Sequence, residues 1–302
     1  MRVLVFGGWG QLGSDLAAVA EHRHELVRPM HAEVDVTRGD DVGNAVASSH
    51  PDAVVNAAAF HKVDVCEVQP VQSFSVNSVG ALNVARACRQ EGARCVYVST
   101  DYVFDGETPG GYEEDDPTGP VNVYGVSKAS GERLVRLATP DSLVVRGSGL
   151  FGHAGSSGKG GNFVETLLAK AVAGEAVSVV DDQFFSPTST RDMAERIFLL
   201  LERDAPPGIY HLANAGSCSW FLFARAIYQL SGIEADLSPR PAGEQPVRRP
   251  RSSVLLDTKT AALGLPTNRR WEEALRWYLE TRPARLTDAA LKESQQPDHQ
   301  KG

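Results

Sequence analysis

The chain has 302 residues, 42% hydrophobic and 23% charged, with a formal net charge of −8 at pH 7 and a pI of about 5.5. A chain of this length and composition can bury a full core, which excludes general disorder. Its acidic balance argues against nucleic acid as a partner, and no apolar run approaches the roughly 20 residues of a membrane helix.

The chain opens on an apolar run at 3–6 that ends at Gly7; Gly10 and Gly13 follow, within and before a helical pattern at 11–21. Strand, glycine turn and helix in that order suit a dinucleotide. Glycine admits the tight turn, lets the backbone approach a pyrophosphate, and aims the helix amino terminus at it. Short β-branched runs recur at 25–28, 53–56, 95–99 and 142–146, separated by helical patterns at 40–48, 76–90 and 124–137. Strands that are apolar on both faces and alternate with helices predict the α/β class, a doubly wound parallel sheet of Rossmann type.

The second run ends at Arg28, and Pro29, Met30 and His31 bring no carboxylate. Arg28 is therefore either a contact for an adenosine 2′-phosphate, which favours NADPH with NADH still possible, or a surface charge. Glu33 could fold back onto the ribose and blunt the preference. The run 95–99 leads into Thr100 and Asp101, at the carboxyl end of a strand, where open α/β sheets bind ligands. Tyr124 and Lys128 stand four apart, on one face of a helix. A lysine cation beside a phenol lowers the phenol pKa towards a value useful in proton transfer. Such a pair alone is commonly surface decoration; behind a glycine turn and Thr100, in that order, it points to carbonyl reduction.

The second half is less regular. A glycine-rich stretch at 153–161 reads as a loop that orders over a ligand. Helical patterns return at 163–173, 191–203, 221–231 and 271–281, with a Pro/Arg-rich loop at 239–251. The expected organisation is a nucleotide-binding domain over 1–150, rejoined by roughly 185–210. A smaller substrate-binding domain covers mainly 151–283, and a polar, disordered tail covers 284–302. The four cysteines, Cys66, Cys88, Cys95 and Cys218, form no CxxC pair and read as buried free thiols. With no room for a signal peptide before the first strand, a cytoplasmic protein is expected.

The glycine spacing at 7–13, Asn56-Ala57-Ala58-Ala59, Ser99-Thr100-Asp101-Tyr102-Val103-Phe104-Asp105-Gly106 and Tyr124-Gly125-Val126-Ser127-Lys128 resemble the extended short-chain dehydrogenase/reductase family. Within it they are similar to the dTDP-4-dehydrorhamnose reductase branch. Gly161-Asn162-Phe163, Asp182-Gln183 with Pro187-Thr188, Gly208-Ile209-Tyr210-His211-Leu212, and Arg249-Pro250 with Ser252-Ser253 carry the similarity from Met1 to about Tyr278.

The resemblance implies NAD(P)H-dependent reduction of the 4-keto group of a nucleotide-linked, dTDP-type 4-keto-6-deoxy sugar. Tyr124 would protonate the carbonyl oxygen, Lys128 would hold the nicotinamide ribose and depress the tyrosine pKa, and Thr100 would hydrogen-bond the same oxygen. Gly7, Gly10, Gln11 and Leu12 would meet the pyrophosphate, Asp35 and Val36 the adenine, and Ala57, Ala58 and Ala59 the nicotinamide side. Val63, Asp101, Asn162 and Arg249 fall on the nucleotide-sugar side. Asn162 reads equally as a loop cap, and Arg248, Arg249 and Arg251 as a solvated basic loop or a diphosphate site.

Two departures from the family pattern stand out. Members often carry Arg-Thr-Ser-Trp where this chain has Arg146-Gly147-Ser148-Gly149, so an aromatic wall is displaced, with Phe151 or Phe184 as substitutes. Some members dimerise through magnesium; Asp15 matches one acid, but Arg191 stands where a second is expected. No metal site is expected, and monomer or homodimer stays open. Tyr102 replaces the glutamate that follows Thr-Asp in dehydratases. The rivals are an epimerase on the same scaffold and a non-catalytic subunit like the regulatory one of methionine adenosyltransferase.

Overall fold

The computed structural model describes residues 1–155 and 161–282, so part of the glycine-rich stretch and the expected tail lie outside the described residues. Strands β1 (Arg2–Phe6), β2 (Glu25–Val27), β3 (Ala53–Asn56), β4 (Arg94–Thr100) and β5 (Leu143–Gly147) join the strand Gly208–His211 in one sheet. Every neighbouring pair is parallel, in the order Gly208–His211, β5, β4, β3, β1, β2. The expected doubly wound α/β sheet is present.

Alternation along β1 explains the two covered faces. Val3 and Val5 pack with Leu12 and Leu16 of α1 (Gln11–Ala20) and with Met193 and Ile197 of the helix Thr190–Glu202. Leu4 and Phe6 point the other way, onto Val42 and Val46 of α2 (Gly39–Ser49) and Val84 of the helix Ala81–Glu91. Successive side chains face opposite sides of a strand, so the run of four apolar residues Val3–Phe6 requires cover on both. β1 has β2 on one side and β3 on the other. The chain thus reverses its winding at β1, and the carboxyl ends of β1 and β3 flank a crevice.

The second half builds its own aromatic cluster, with Phe151, Phe185, Phe223, Trp271 and Tyr278 drawn from strands and helices far apart in the chain. The four cysteines are buried, and no disulfide joins them. No helix among the described residues is long and apolar enough to cross a membrane.

Two local expectations need correction. The pattern at 76–90 is not one α-helix, because a π-helical turn at Ser75–Gly80 precedes Ala81–Glu91. Part of the loop expected at 239–251 is strand: Leu237–Arg240 pairs in parallel with Val177–Val180. Its residues are largely exposed, so no alternating pattern marked it.

Candidate active site

A cavity of about 1040 Å³ lies along the carboxyl edge of the sheet. Gly7, Gly10, Gln11, Leu12, Asp35, Val36, Ala57, Ala58, Ala59, Val63, Thr100, Asp101, Tyr124, Lys128 and Asn162 all line it. Arg28 and Arg249 do not, but their neighbours Pro29 and Pro250 do. A smaller cleft of about 440 Å³, lined by Arg191, Arg269 and Trp277, contains none of the expected residues.

The glycine turn is shaped by close approach. Gly7 has φ +75°, and a Cβ there would lie 2.7 Å from the carbonyl carbon of Ala57. A Cβ on Gly13 would come within 2.5 Å of the Gly7 oxygen, so this glycine lets α1 pack against the turn. The Gly10 N–H donates to the Gly7 carbonyl at 3.0 Å and closes the turn. Two buried polar atoms on the cavity wall, Gln11 Oε1 and Ser99 Oγ, have no partner among the described residues. Buried polar atoms need partners, so a bound polar ligand over the glycine turn fits this wall.

Asp35 accepts hydrogen bonds from the Thr37 N–H at 2.9 Å and the Thr37 hydroxyl at 2.8 Å, and these bonds hold its carboxyl below the usual range. Arg28 lies across the turn: Nη1 donates to the Gly8 carbonyl at 3.2 Å, and the guanidinium sits 4.3 Å from the centre of the Trp9 ring.

Thr100 ends β4, donating to Asp101 Oδ1 at 3.0 Å and standing within hydrogen-bonding reach of the Tyr124 phenol. Tyr124 begins the helix Val123–Ala138, whose amino end Asn122 caps by accepting from the Gly125 N–H at 2.9 Å. One turn on, Lys128 Nζ donates to the Val98 carbonyl at 2.7 Å and rests 4.1 Å from the Tyr97 ring centre.

The expected depression of the Tyr124 pKa by Lys128 is not what the structure does. Burial pushes the Tyr124 phenol up, opposed by the Thr100 hydrogen bond, while burial pushes the Lys128 ammonium down to about 7, opposed by Glu132. Desolvation disfavours both charged forms, and it wins because the lysine is aimed at a carbonyl and a ring. Tyr124 is thus a protonated phenol, the form a general acid needs.

Proton linkage makes this testable. The folded Lys128 pKa is about 7 and the ordinary value 10.5, so between them the unfolded chain binds more protons. The contribution of this group to stability therefore rises with pH across that window. In urea melts, the stability of wild type relative to Lys128→Met should increase between about pH 7 and 9.5. A difference that does not change with pH would mean the ammonium is solvated.

Three supporting groups escaped the sequence reading. Asn77, in the π turn, accepts from the Phe60 N–H at 2.9 Å and donates to the Phe60 carbonyl at 2.9 Å and to Ser127 Oγ at 2.9 Å. Ser127 in turn donates to the Tyr124 carbonyl at 2.8 Å, so one buried amide ties the loop after β3 to the helix carrying Tyr124. Its only signal was an asparagine inside a mostly apolar helical pattern. Glu132 and Arg146 form a buried bidentate pair at 2.9 and 2.7 Å. Phe185 is the third: its ring stands where a side chain at Gly149 would go, a place the sequence suggested for Phe151 or Phe184.

The substrate-side residues differ in their engagement. Asp101 Oδ2 accepts from the Ser148 hydroxyl at 2.6 Å and the Ser253 hydroxyl at 2.5 Å. Asn162 caps the helix Phe163–Val172 through the Glu165 N–H at 3.1 Å and donates to the Gly152 carbonyl at 2.9 Å, so the cap is realised at a residue that also faces the cavity. Arg249 pairs with both oxygens of Asp64, at 2.9 and 3.1 Å. Asp15 accepts from the Thr190 hydroxyl, and Arg191 turns to Glu195 at 2.8 Å. Among the described residues no group of three His, Cys, Asp or Glu side chains is arranged to hold a metal.

The family model described as RmlD substrate binding domain matches residues 1–283. The spore coat polysaccharide biosynthesis protein SpsK of Bacillus subtilis is 40% identical over 284 residues, covering 93% of this chain and 98% of that protein. A dTDP-4-dehydrorhamnose reductase of Mycolicibacterium smegmatis is 37% identical over 298 residues, covering 96% of this chain and 88% of that one. The solved structure of dTDP-4-dehydrorhamnose reductase from Bacillus anthracis in complex with NADP superposes with a TM-score of 0.88 at 33% identity, covering 92% of this chain and 98% of that chain.

Proposed function

Because the chain belongs to the RmlD substrate binding domain family, we propose that it is an NADPH-dependent reductase of the 4-keto group of a dTDP-linked 4-keto-6-deoxy sugar. The observation that carries this reading is the assembly of Thr100, Tyr124 and Lys128 in one cavity with the glycine turn. Relatives named dTDP-4-dehydrorhamnose reductase, and one solved with NADP, support it.

The cavity is large enough for a dinucleotide and a sugar to meet. Bound NADPH would supply the hydride. Gly7, Gly10, Gln11 and Leu12 would hold its pyrophosphate, with Asp35 and Val36 beside the adenine and Ala57, Ala58 and Ala59 beside the nicotinamide. Thr100 and Tyr124 orient the substrate carbonyl oxygen, and Tyr124 delivers the phenol proton to it. Lys128, in its charged form, offers donors to a ribose and stabilises the phenolate left behind. Val63, Asp101, Asn162 and Arg249 border the nucleotide-sugar end. Arg249 would exchange Asp64 for a diphosphate, since guanidinium pairs bidentately with either anion.

In domain terms, residues 1–150 with roughly 185–210 would carry the cofactor, and 151–283 mainly the substrate, in a monomer or homodimer. A cytoplasmic setting, with its reduced cofactor, suits this chemistry.

The test is to mix purified protein and NADPH with a panel of nucleotide-linked 4-keto sugars and follow reduced-nicotinamide absorbance. An epimerase would give isomerised sugar without net oxidation of cofactor, and a regulatory subunit would give no turnover with any member.

Arg28 should set the cofactor preference. Its guanidinium is laid over the glycine turn, beside the end of β2 where the adenosine ribose is expected. A charge-assisted contact to a 2′-phosphate is worth roughly 1.5–3 kcal/mol. Wild type should therefore favour NADPH over NADH by about 10- to 100-fold in kcat/KM, and Arg28→Ala should erase most of that ratio. An unchanged ratio in the variant would take Arg28 out of the cofactor site.

A further inference from the structure

The wall beside the carbonyl-binding groups carries an inference that rests on the reductase reading above. Register pairs Thr100 of β4 with Gly147 of β5, and Gly149 follows two residues later at the carboxyl edge of the sheet. Gly149 has φ +52°, and a Cβ there would lie 2.2 Å from Cε2 of Phe185. The phenyl ring thus fills the volume that any side chain at 149 would need. Trp220 stacks on it with centroids 3.9 Å apart and planes at 14°, and Phe223 meets it edge-on at 5.6 Å. Phe185 is only 2% exposed, yet it and Gly149 both line the cavity.

Polar groups in the same stretch are committed elsewhere. The Ser148 hydroxyl donates to Asp101 Oδ2 at 2.6 Å and accepts from the Ser186 N–H at 3.3 Å. The Ser253 hydroxyl takes a second position on Asp101 Oδ2 at 2.5 Å, and Thr100 takes Oδ1 at 3.0 Å. What the Phe185 side chain offers a ligand is a C–H surface with no donor.

We propose that Phe185 is a specificity-determining residue. The cavity takes a 4-keto sugar whose carbon facing Phe185, next to the carbonyl, bears hydrogen or methyl and no hydroxyl. A hydroxyl placed there gives up water and gains no partner. An apolar wall discriminates against one added hydroxyl by roughly 10- to 100-fold.

The experiment compares kcat/KM for pairs of nucleotide-linked 4-keto sugars that differ by one hydroxyl on a carbon flanking the carbonyl. Wild type, Phe185→Leu and Phe185→Tyr are measured with NADPH. Wild type should favour the deoxygenated member by about 10- to 100-fold, and Phe185→Leu should keep that preference. Phe185→Tyr brings a hydroxyl into the wall and should shrink or invert the ratio, while an unchanged KM for NADPH reports an intact fold. Calorimetry with the corresponding reduced sugars, which do not react, reads the same ratio without turnover. Equal use of both members by wild type, or a ratio that Phe185→Tyr does not move, overturns the role of Phe185 alone. If no member is turned over and no reduced sugar binds, the reductase reading fails and the inference fails with it.

Discussion

Tyr124→Phe should lower kcat by roughly 10²–10⁴-fold, the usual worth of a positioned general acid, with NADPH affinity close to wild type. Only the hydroxyl is lost, because phenylalanine keeps the ring and its packing against Tyr102, whose centroid lies 5.8 Å away. Burial raises the phenol pKa, so the acid is loaded with its proton at neutral pH without help from a neighbour. Thr100 remains in the variant, and its hydroxyl can turn from Asp101 to the carbonyl oxygen, so residual activity should exceed the uncatalysed rate. Single-turnover kinetics with premixed cofactor separates the chemical step from binding. A variant that turns over at nearly the wild-type rate would assign the proton to another donor. Asp101 is then the first alternative, since burial also raises its pKa, against the hydrogen bonds from Ser148, Ser253 and Thr100.

Glu132→Ala should cost about 3–5 kcal/mol of stability, the typical result of removing one partner from a buried ion pair. Arg146 is 1% exposed and Glu132 4% exposed, and the guanidinium is held by both carboxylate oxygens. Without them it retains the Glu114 carbonyl at 3.4 Å, the His211 ring nitrogen at 3.3 Å and the face of Phe104 at 4.9 Å. None of these carries a compensating charge, and arginine does not shed its proton. His211 cannot share the charge either: burial and the adjacent Arg146 push its pKa down to about 4.

For a chain of this size the loss corresponds to a fall in Tm on the order of 10 °C. The double variant Glu132→Ala, Arg146→Met should recover part of it, because no unpaired charge then stays buried. Denaturant melts of both variants read the outcome. A single variant as stable as wild type would mean that water reaches Arg146. Glu132 also lies four residues beyond Lys128 and favours its charged form. The single variant should therefore lose activity at a lower pH than wild type, a shift that a purely structural role would not produce.

The sequence by itself determined the parts of this protein that depend on short-range patterns. β3 falls at the expected residues 53–56, and Tyr124 and Lys128 lie one turn apart on a helix, as their spacing requires. The glycine turn was legible because helix–strand packing and a positive φ leave few residues other than glycine possible at those positions. Tertiary structure alone decided the charge of Lys128, which depends on how much water the fold removes and not on the neighbouring letters. It decided that Phe185 fills the space a side chain at Gly149 would need, and that Asn77, within a π turn, reaches Phe60 and Ser127. It also turned Arg249 to Asp64. The contacts behind these results join residues from 17 to 185 positions apart. Periodicity is a property of a window of ten or so residues, whereas desolvation and packing depend on which distant elements the sheet brings to its carboxyl edge.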